Sequence, residues 1–314
     1  MSITPNMEVS SKSPSRPASD IIVRESLVGK RGLPYFFLLP AAILLLGLLI
    51  SPIITGIVMS FQTTDLGGTT LWSGVANYKL LIQETRFLGN ARNSIVYVLG
   101  NIMLSTPLAY AAALLITSKF TQAQFFRGFY LLPWIIAPVV STVLFRSMLD
   151  PRLGPIAKLI EWLAGREVII LADPFWALFF VIFHSFWRSF PFVMLFLAAG
   201  MATIPGEIYE AATVDGAGRW SRFIHLTLPM TSNQLGISLL IITIWTLHDA
   251  ETIYAFTGGG PGYSTETLAV RLFKSSFINF DLNMGATIGV VLIILSLIFM
   301  SFYLRLTIGR GAER

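Results

Sequence analysis

The chain has 314 residues, of which 54% are hydrophobic and only 12% charged, with a formal net charge of +5. Soluble domains carry about 25% charged residues; a chain this apolar could not cover its surface with polar groups in water, and a bilayer is the solvent that fits. Cysteine is absent, which excludes a disulfide framework, a thiolate metal site and a cysteine nucleophile.

Residues 1–30 are rich in Ser and Pro (SSKSPSRPASD) and carry mixed charges. Such a segment buries too little apolar surface to fold and is expected to be a disordered tail. It is not a cleaved signal peptide: the apolar run starts too late, is too long and lacks an A-x-A site. A transmembrane domain is expected over residues 31–310. Six apolar runs reach the roughly 20 helical residues that a hydrocarbon core demands: Leu33–Phe61, Ala91–Ser118, Phe125–Leu149, Phe175–Met201, Gln234–Phe256 and Met284–Leu306. The predicted fold class is therefore all-α, a polytopic membrane protein with about six transmembrane helices. Pro107, Pro133, Pro138 and Pro191 lie inside these runs and are expected as kinks.

Six crossings place both termini on one side. With the N-terminus in the cytoplasm, that side collects Lys12, Arg16, Arg24, Lys30, Arg31, Lys119, Arg127, Arg219, Arg222, Arg305, Arg310 and Arg314. The bias is modest, and it strengthens once the intramembrane Arg188 and the long outer loops are discounted. The basic residues flank apolar runs rather than forming a patch interleaved with exposed aromatics, so nucleic acid is not an expected partner.

Between the fourth and fifth crossings, residues 202–230 are too polar to span. The stretch IPGEIYEAATVDGAGRWSRFIHLTLPM reads as a short helix, a glycine turn and a second short helix. Thr203 and Pro205 are start signals, and Ile208, Ala211 and Ala212 give one small apolar face. Gly216 and Gly218 break the first helix, and Pro229 ends the second. An amphipathic connector accounts for these features; so does a face that docks closely into a partner's groove.

The spacing E-A-A, three residues, G, nine residues, an aliphatic, one residue, L-P resembles the EAA loop of permeases in binding-protein-dependent ABC importers. Glu210, Ala211, Ala212, Gly216, Leu228 and Pro229 carry the match, with Asp215 beside the glycine and Leu226 in place of the usual Ile. The resemblance continues in order through FLLPAAILLLGLLISPI, ANYKLLIQE, RGFYLLPWIIAPVV, FPFVMLFLAAGMATIP and TGGGPGYSTETL, and covers residues 35–306, in the sugar-permease branch. It implies the type I importer permease fold, with a cytoplasmic coupling helix in a cleft of a separate ATPase. The implied partners are a second permease subunit (a heterodimer), two ATPase subunits and an extracytoplasmic solute-binding protein. The implied location is a bacterial inner membrane, and the implied mechanism is alternating access driven by ATP.

The chain has no G-x-x-x-x-G-K-[ST], and TGGGPG lacks the Lys and the following hydroxyl residue. No cofactor is expected in this chain; ATP and Mg would be bound by the partner ATPase. His184, His225 and His248 stand on different segments without H-E-x-x-H, so no metal site is expected. An ion-coupled secondary transporter is the competing reading, but it should show inverted repeats, and none is visible.

Ionisable residues inside a crossing are expensive and usually face a wet cavity or the bundle interior. Two clusters qualify: His184, Trp187 and Arg188 in HSFWRSF, and Trp245, His248, Asp249 and Glu251 in WTLHDAE. Residues 184 and 188 are one helical turn apart, as are 245 and 249. Aromatic faces stacked on pyranose rings, with charged groups bonding hydroxyls, would make a sugar site, which marks His184, Trp187, Arg188, Trp245, His248 and Asp249 as candidate substrate contacts. The alternative is a structural ion pair from Arg188 to Asp249 or Glu251, with both Trp residues as packing.

Overall fold

The computed structural model describes residues 27–65, 67–117 and 123–311. Most of the expected tail, with Lys12, Arg16 and Arg24, lies outside the described residues, as do Lys119 and Arg314. Helix α1 runs Leu27–Ser60. A two-strand hairpin follows, β1 Gln62–Thr64 paired antiparallel with β2 Thr70–Trp72, Gln62 opposite Trp72. Then come α2 Ala76–Gln83, α3 Thr85–Thr117, α4 Ala123–Ile135, α5 Pro138–Met148, α6 Pro155–Ala164 and α7 Pro174–Ala202. The polar loop holds α8 Gly206–Val214, α9 Arg219–Arg222, a π-helical turn Phe223–Thr227 and α10 Leu228–Met230. The chain ends through α11 Ser232–Leu247, α12 Glu251–Thr257, α13 Leu268–Phe273 and α14 Leu282–Gly311.

Residues up to Pro52 and residues from Ile53 onward form two compact units. The described side chains of the first, from Phe37 to Ile50, are exposed Leu, Ile, Phe and other small or apolar groups, the surface that contact with lipid tails requires. All further packing described below lies within the second unit.

Among the described residues, four helices are long and apolar enough to cross a bilayer: the segments Phe37–Ser60, Thr85–Thr117, Pro174–Ala202 and Leu282–Arg305. Two bent pairs bring the number to six. Residues 128–135 of α4 meet α5 at 97°, and the 219–230 stretch meets α11 at 66°. The third expected crossing is therefore not a kinked rod but two helices at nearly a right angle. Ala137 is extended (φ −55°, ψ 136°) before Pro138 at the first turn of α5, because the ring of Pro disfavours helical backbone in the residue ahead of it. The fifth expected crossing, Gln234–Phe256, also divides. It leaves the helix at His248, and Asp249 Oδ1 accepts the Thr252 N–H at 2.9 Å, capping α12.

Helices α3 and α7 form the centre. On α3, residues Tyr97, Asn101, Ser105, Ala109 and Ala113 follow one i, i+4 ridge and all are buried. The facing ridge of α7 carries Ala177, Val181, Ser185, Val193, Leu197 and Met201. Small side chains let the backbones approach: a Cβ on Gly100 would stand 2.9 Å from Ile182. Within this seam Asn101 Nδ2 donates to Ser185 Oγ at 2.8 Å and to Thr246 Oγ1 at 2.9 Å, while Ser189 Oγ donates to Asn101 Oδ1 at 2.6 Å. One side-chain amide thus ties α3, α7 and α11. Interhelical hydrogen bonds in membranes contribute about 0.6–2 kcal/mol each. Asn101→Leu, which loses all three bonds and leaves Ser185, Ser189 and Thr246 to find other partners, is expected to lower the unfolding temperature of the purified protein in detergent. Asn101→Gln should lower it less, and a thermal scan by intrinsic fluorescence reads the difference.

Candidate functional site

A cleft of about 880 Å³ opens beside this amide. It is within the size range of small-molecule sites, about 300–1,000 Å³. Helix α7 supplies Ser185, Arg188 and Ser189, α3 supplies Asn101, and the α11–α12 break supplies Trp245, Thr246, His248, Asp249, Glu251 and Thr252. Trp134 of α4 and Pro138 and Val139 of α5 close one wall. The bend at Ala137 and the break at His248–Ala250 are thus what shape the cavity: straight helices there would fill it with side chains or leave its polar groups facing lipid.

The polar groups differ in how fully they are engaged. Asp249 is held by its own scaffold, since Oδ2 accepts the Tyr97 hydroxyl at 3.0 Å and Oδ1 caps α12. His248 Nε2 meets Ser296 Oγ of α14 at 2.9 Å. Arg188 is the under-engaged group. Its one bond is Nη1 to Thr252 Oγ1 at 3.5 Å, and its Nε is buried with no acceptor. Among the described residues it forms no ion pair, so the structural pairing with Asp249 or Glu251 is not what the fold contains. Arg188 is half-buried; a buried N–H with no acceptor, as at its Nε, is costly, and the cleft is its open side.

Of the six candidate contacts, Arg188, Trp245, His248 and Asp249 line this cleft, whereas His184 and Trp187 do not. His184 is fully buried, with Nε2 3.0 Å from Ser141 Oγ and its ring edge-on to Phe145 at 5.0 Å. Trp187 packs on the same Phe145 at 5.0 Å. One turn separates His184 from Arg188, but α5 covers the first and leaves the second open. Trp245 is half exposed and tilts against Phe192 at 4.7 Å, which in turn lies 6.1 Å from Trp134. Asn101, Ser185, Ser189, Thr246 and Trp134 were not singled out by the sequence. Asn101, far from either end of the α3 apolar run, was the available signal; Ser and Thr are too common in membrane helices to mark a site.

At the far end of α7 the polar loop presents its own surface. Helix α8 buries no residue, and Glu210, Ala211, Asp215 and Gly216 are exposed, with Ala212 half-buried. Gly216 has φ +80°, a left-handed conformation in which a side chain is strained. The loop is braced from behind: Tyr209 meets Thr227 at 3.0 Å, and Arg222 Nη1 donates to Thr213 Oγ1 at 2.8 Å. Leu228 and Pro229 are half-buried, and Leu228 packs with Phe223 against the α3–α7 core. Tyr110 of α3 touches the C-terminal part of this stretch twice, edge-on to Phe223 at 5.4 Å and hydrogen-bonded to Thr231 at 3.0 Å.

Comparison with known proteins places this geometry. Residues 81–308 match the inner membrane component family of binding-protein-dependent transport systems. The sulfoquinovosyl glycerol transport system permease protein SmoG of Agrobacterium fabrum is 30% identical over 89% of this chain and 91% of its own length. The diacetylchitobiose uptake system permease protein DasB of Streptomyces coelicolor is 30% identical over 89% and 88%. The fold is shared with a bacterial alginate ABC transporter solved with its alginate pentasaccharide-bound periplasmic protein (TM-score 0.77, 22% identity, 88% of this chain and 96% of that one). The chain therefore belongs to the inner membrane component family of binding-protein-dependent transport systems, as a multi-pass permease of the sugar-permease branch of ABC importers.

Proposed function

We propose that the chain forms half of the membrane path for a sugar or sugar-like polar solute, and that its 202–230 loop couples that path to a separate ATPase. The under-engaged Arg188 in the cleft is the observation that carries the solute reading. Around its idle N–H donors the cleft carries the carboxylates of Asp249 and Glu251 and the hydroxyls of Ser185, Ser189 and Thr246, the last three also bonded to Asn101. Trp245 and Trp134 add flat apolar faces suited to the ring's C–H surface. The carboxylates of Asp249 and Glu251 balance the guanidinium, which favours hydroxyl recognition over pure anion capture. The names of the relatives, which concern sulfoquinovosyl glycerol, diacetylchitobiose and alginate, agree with such a solute.

The coupling reading rests on the exposed Glu210–Gly216 surface and its bracing onto α3 through Tyr110. With that loop in the cytoplasm, both termini are cytoplasmic, and the cleft opens between the two leaflets. A second permease subunit completes the path, two ATPase subunits supply the work, and an extracytoplasmic binding protein delivers the solute. In this cycle closure of the ATPase dimer draws the loops together. Tyr110, Phe223 and Leu228 pass that movement into α3 and α7, which carry Asn101 and Arg188.

Two outcomes test the proposal in the complex purified with its co-expressed partners and reconstituted in lipid. Arg188→Ala should weaken the apparent affinity for solute in uptake by roughly ten- to a hundredfold, the scale of about 1.5–3 kcal/mol for a charged hydrogen bond. Arg188→Lys should recover part of it; unchanged uptake in both variants would remove Arg188 from the site. Glu210→Ala and Gly216→Val should abolish the stimulation of ATP hydrolysis by solute-loaded binding protein while leaving the membrane helices folded, as circular dichroism would report. Full stimulation in both would mean that the loop does not couple.

A further inference from the structure

Helix α6 lies between α5 and α7, at the end of α7 opposite the 202–230 loop. Ten residues rise only about 15 Å, so α6 cannot cross a bilayer. Its side chains nevertheless divide into three arcs rather than the two of an ordinary surface helix. Ile156, Ala157 and Ile160 point into the protein, in the cluster that holds Phe180, Ile253 and Phe256. Lys158 and Glu161 stand on the second arc, joined by an ion pair at 2.8 Å. Leu159, Trp162 and Leu163 form the third, and all three are exposed, Trp162 at 78%. The flanking Leu153 and Ile169 are exposed as well.

A helix with one face in a protein core needs only polar groups elsewhere if water surrounds it. An apolar arc set beside a charged arc is the pattern of a helix lying in the membrane interface, with Trp at the boundary where one side is apolar and the other wet. The chain on either side continues that apolar surface. Helix α5 leads in with exposed Val140, Val143 and Leu144, and α7 leads out with exposed Phe175 and Trp176 behind the Asp173 cap.

We propose that α6 is a lateral anchor seated in the bilayer interface, with Leu159, Trp162 and Leu163 at the headgroup–acyl boundary and Lys158 and Glu161 in water. The leaflet is the extracytoplasmic one if the 202–230 loop is cytoplasmic; the interfacial seating itself does not depend on that reading. The anchor has a consequence for the cleft. Ile253 and Phe256 share that core cluster with α6, and they alternate along α12 with Thr252, Tyr254 and Ala255, which line the cleft. The bilayer surface thereby holds the outer wall of the cleft at a fixed depth.

The absence of cysteine makes the test direct. Lys158→Cys, Leu159→Cys, Glu161→Cys, Trp162→Cys and Leu163→Cys, each nitroxide-labelled in the partner-bound complex in nanodiscs, are read for collisions with oxygen and with a water-soluble nickel chelate. Oxygen should dominate at 159, 162 and 163 and nickel at 158 and 161, with or without the binding protein. Nickel accessibility at 162 and 163 equal to that at 158 would place the arc in water and overturn the proposal. Exclusion of both reagents from the arc would assign it to a protein partner and overturn it equally. Unaltered uptake by the labelled variants establishes that each still folds.

Discussion

Inside a bilayer a side-chain amide finds no water to bond, so its donors and acceptor must be matched by protein or left at a cost. Asn101 meets that constraint with three hydroxyls on two other helices, and the rest of the second unit is arranged around the result. Bringing Ser185, Ser189 and Thr246 within 3 Å of one amide fixes the rotation of α7 and α11 about their axes. That rotation in turn decides what the next residues face. Arg188, adjacent to Ser189, turns to the cleft, and Trp245, adjacent to Thr246, turns to the same space. The packing node and the candidate binding site are one construction, seen from two sides.

The same helices would carry the proposed mechanical link. From Arg188 to Thr203 the chain rises about 22 Å along α7, which spans much of a bilayer. At its foot the loop is attached twice, through the turn at Thr203–Pro205 and through Tyr110, which grips both Phe223 and Thr231. A push on α8 therefore reaches α3 as well as α7, and these two meet along buried Ala and Ser ridges with little room for independent motion. Close-packed interfaces of this kind move as rigid pieces between discrete arrangements. The helices are interrupted at the α4–α5 junction and between α11 and α12, and both interruptions border the cleft.

Much of this was legible in the sequence, for identifiable reasons. A stretch of some 20 apolar residues has one structural outcome in a bilayer, and the four unbroken candidate crossings among the described residues follow from that alone. The 202–230 loop was legible because glycine and proline punctuate it, and the glycine turn after a short helix is what forms, with Gly216 at φ +80°. Arg188 and Asp249 were legible because charge in hydrocarbon is rare. The right-angle bend before Pro138 was read only as a kink, since proline tells where a helix is interrupted but not through what angle the chain resumes. The break at His248–Ala250 has no proline or glycine at all; it depends on Asp249 capping α12 and accepting from Tyr97, a partner 152 residues away. His184 and Trp187 looked like partners of Arg188 by helical spacing, but Phe145 and Ser141 of α5 enclose His184, and Trp187 packs on the same Phe145. Tertiary cover of that kind leaves no mark on local sequence.

We propose that motion at the exposed 202–230 loop, powered by a separate ATPase, works the intramembrane cleft. Uptake of labelled sugar into proteoliposomes holding the complete complex tests it most directly, with ATP supplied only on the side of the 202–230 loop, or with an imposed proton or sodium gradient in its place. The expected result is uptake that requires ATP on that side and ignores the gradients. Uptake driven by a gradient without ATP would contradict it, and would make the cleft the site of an ion-coupled transporter.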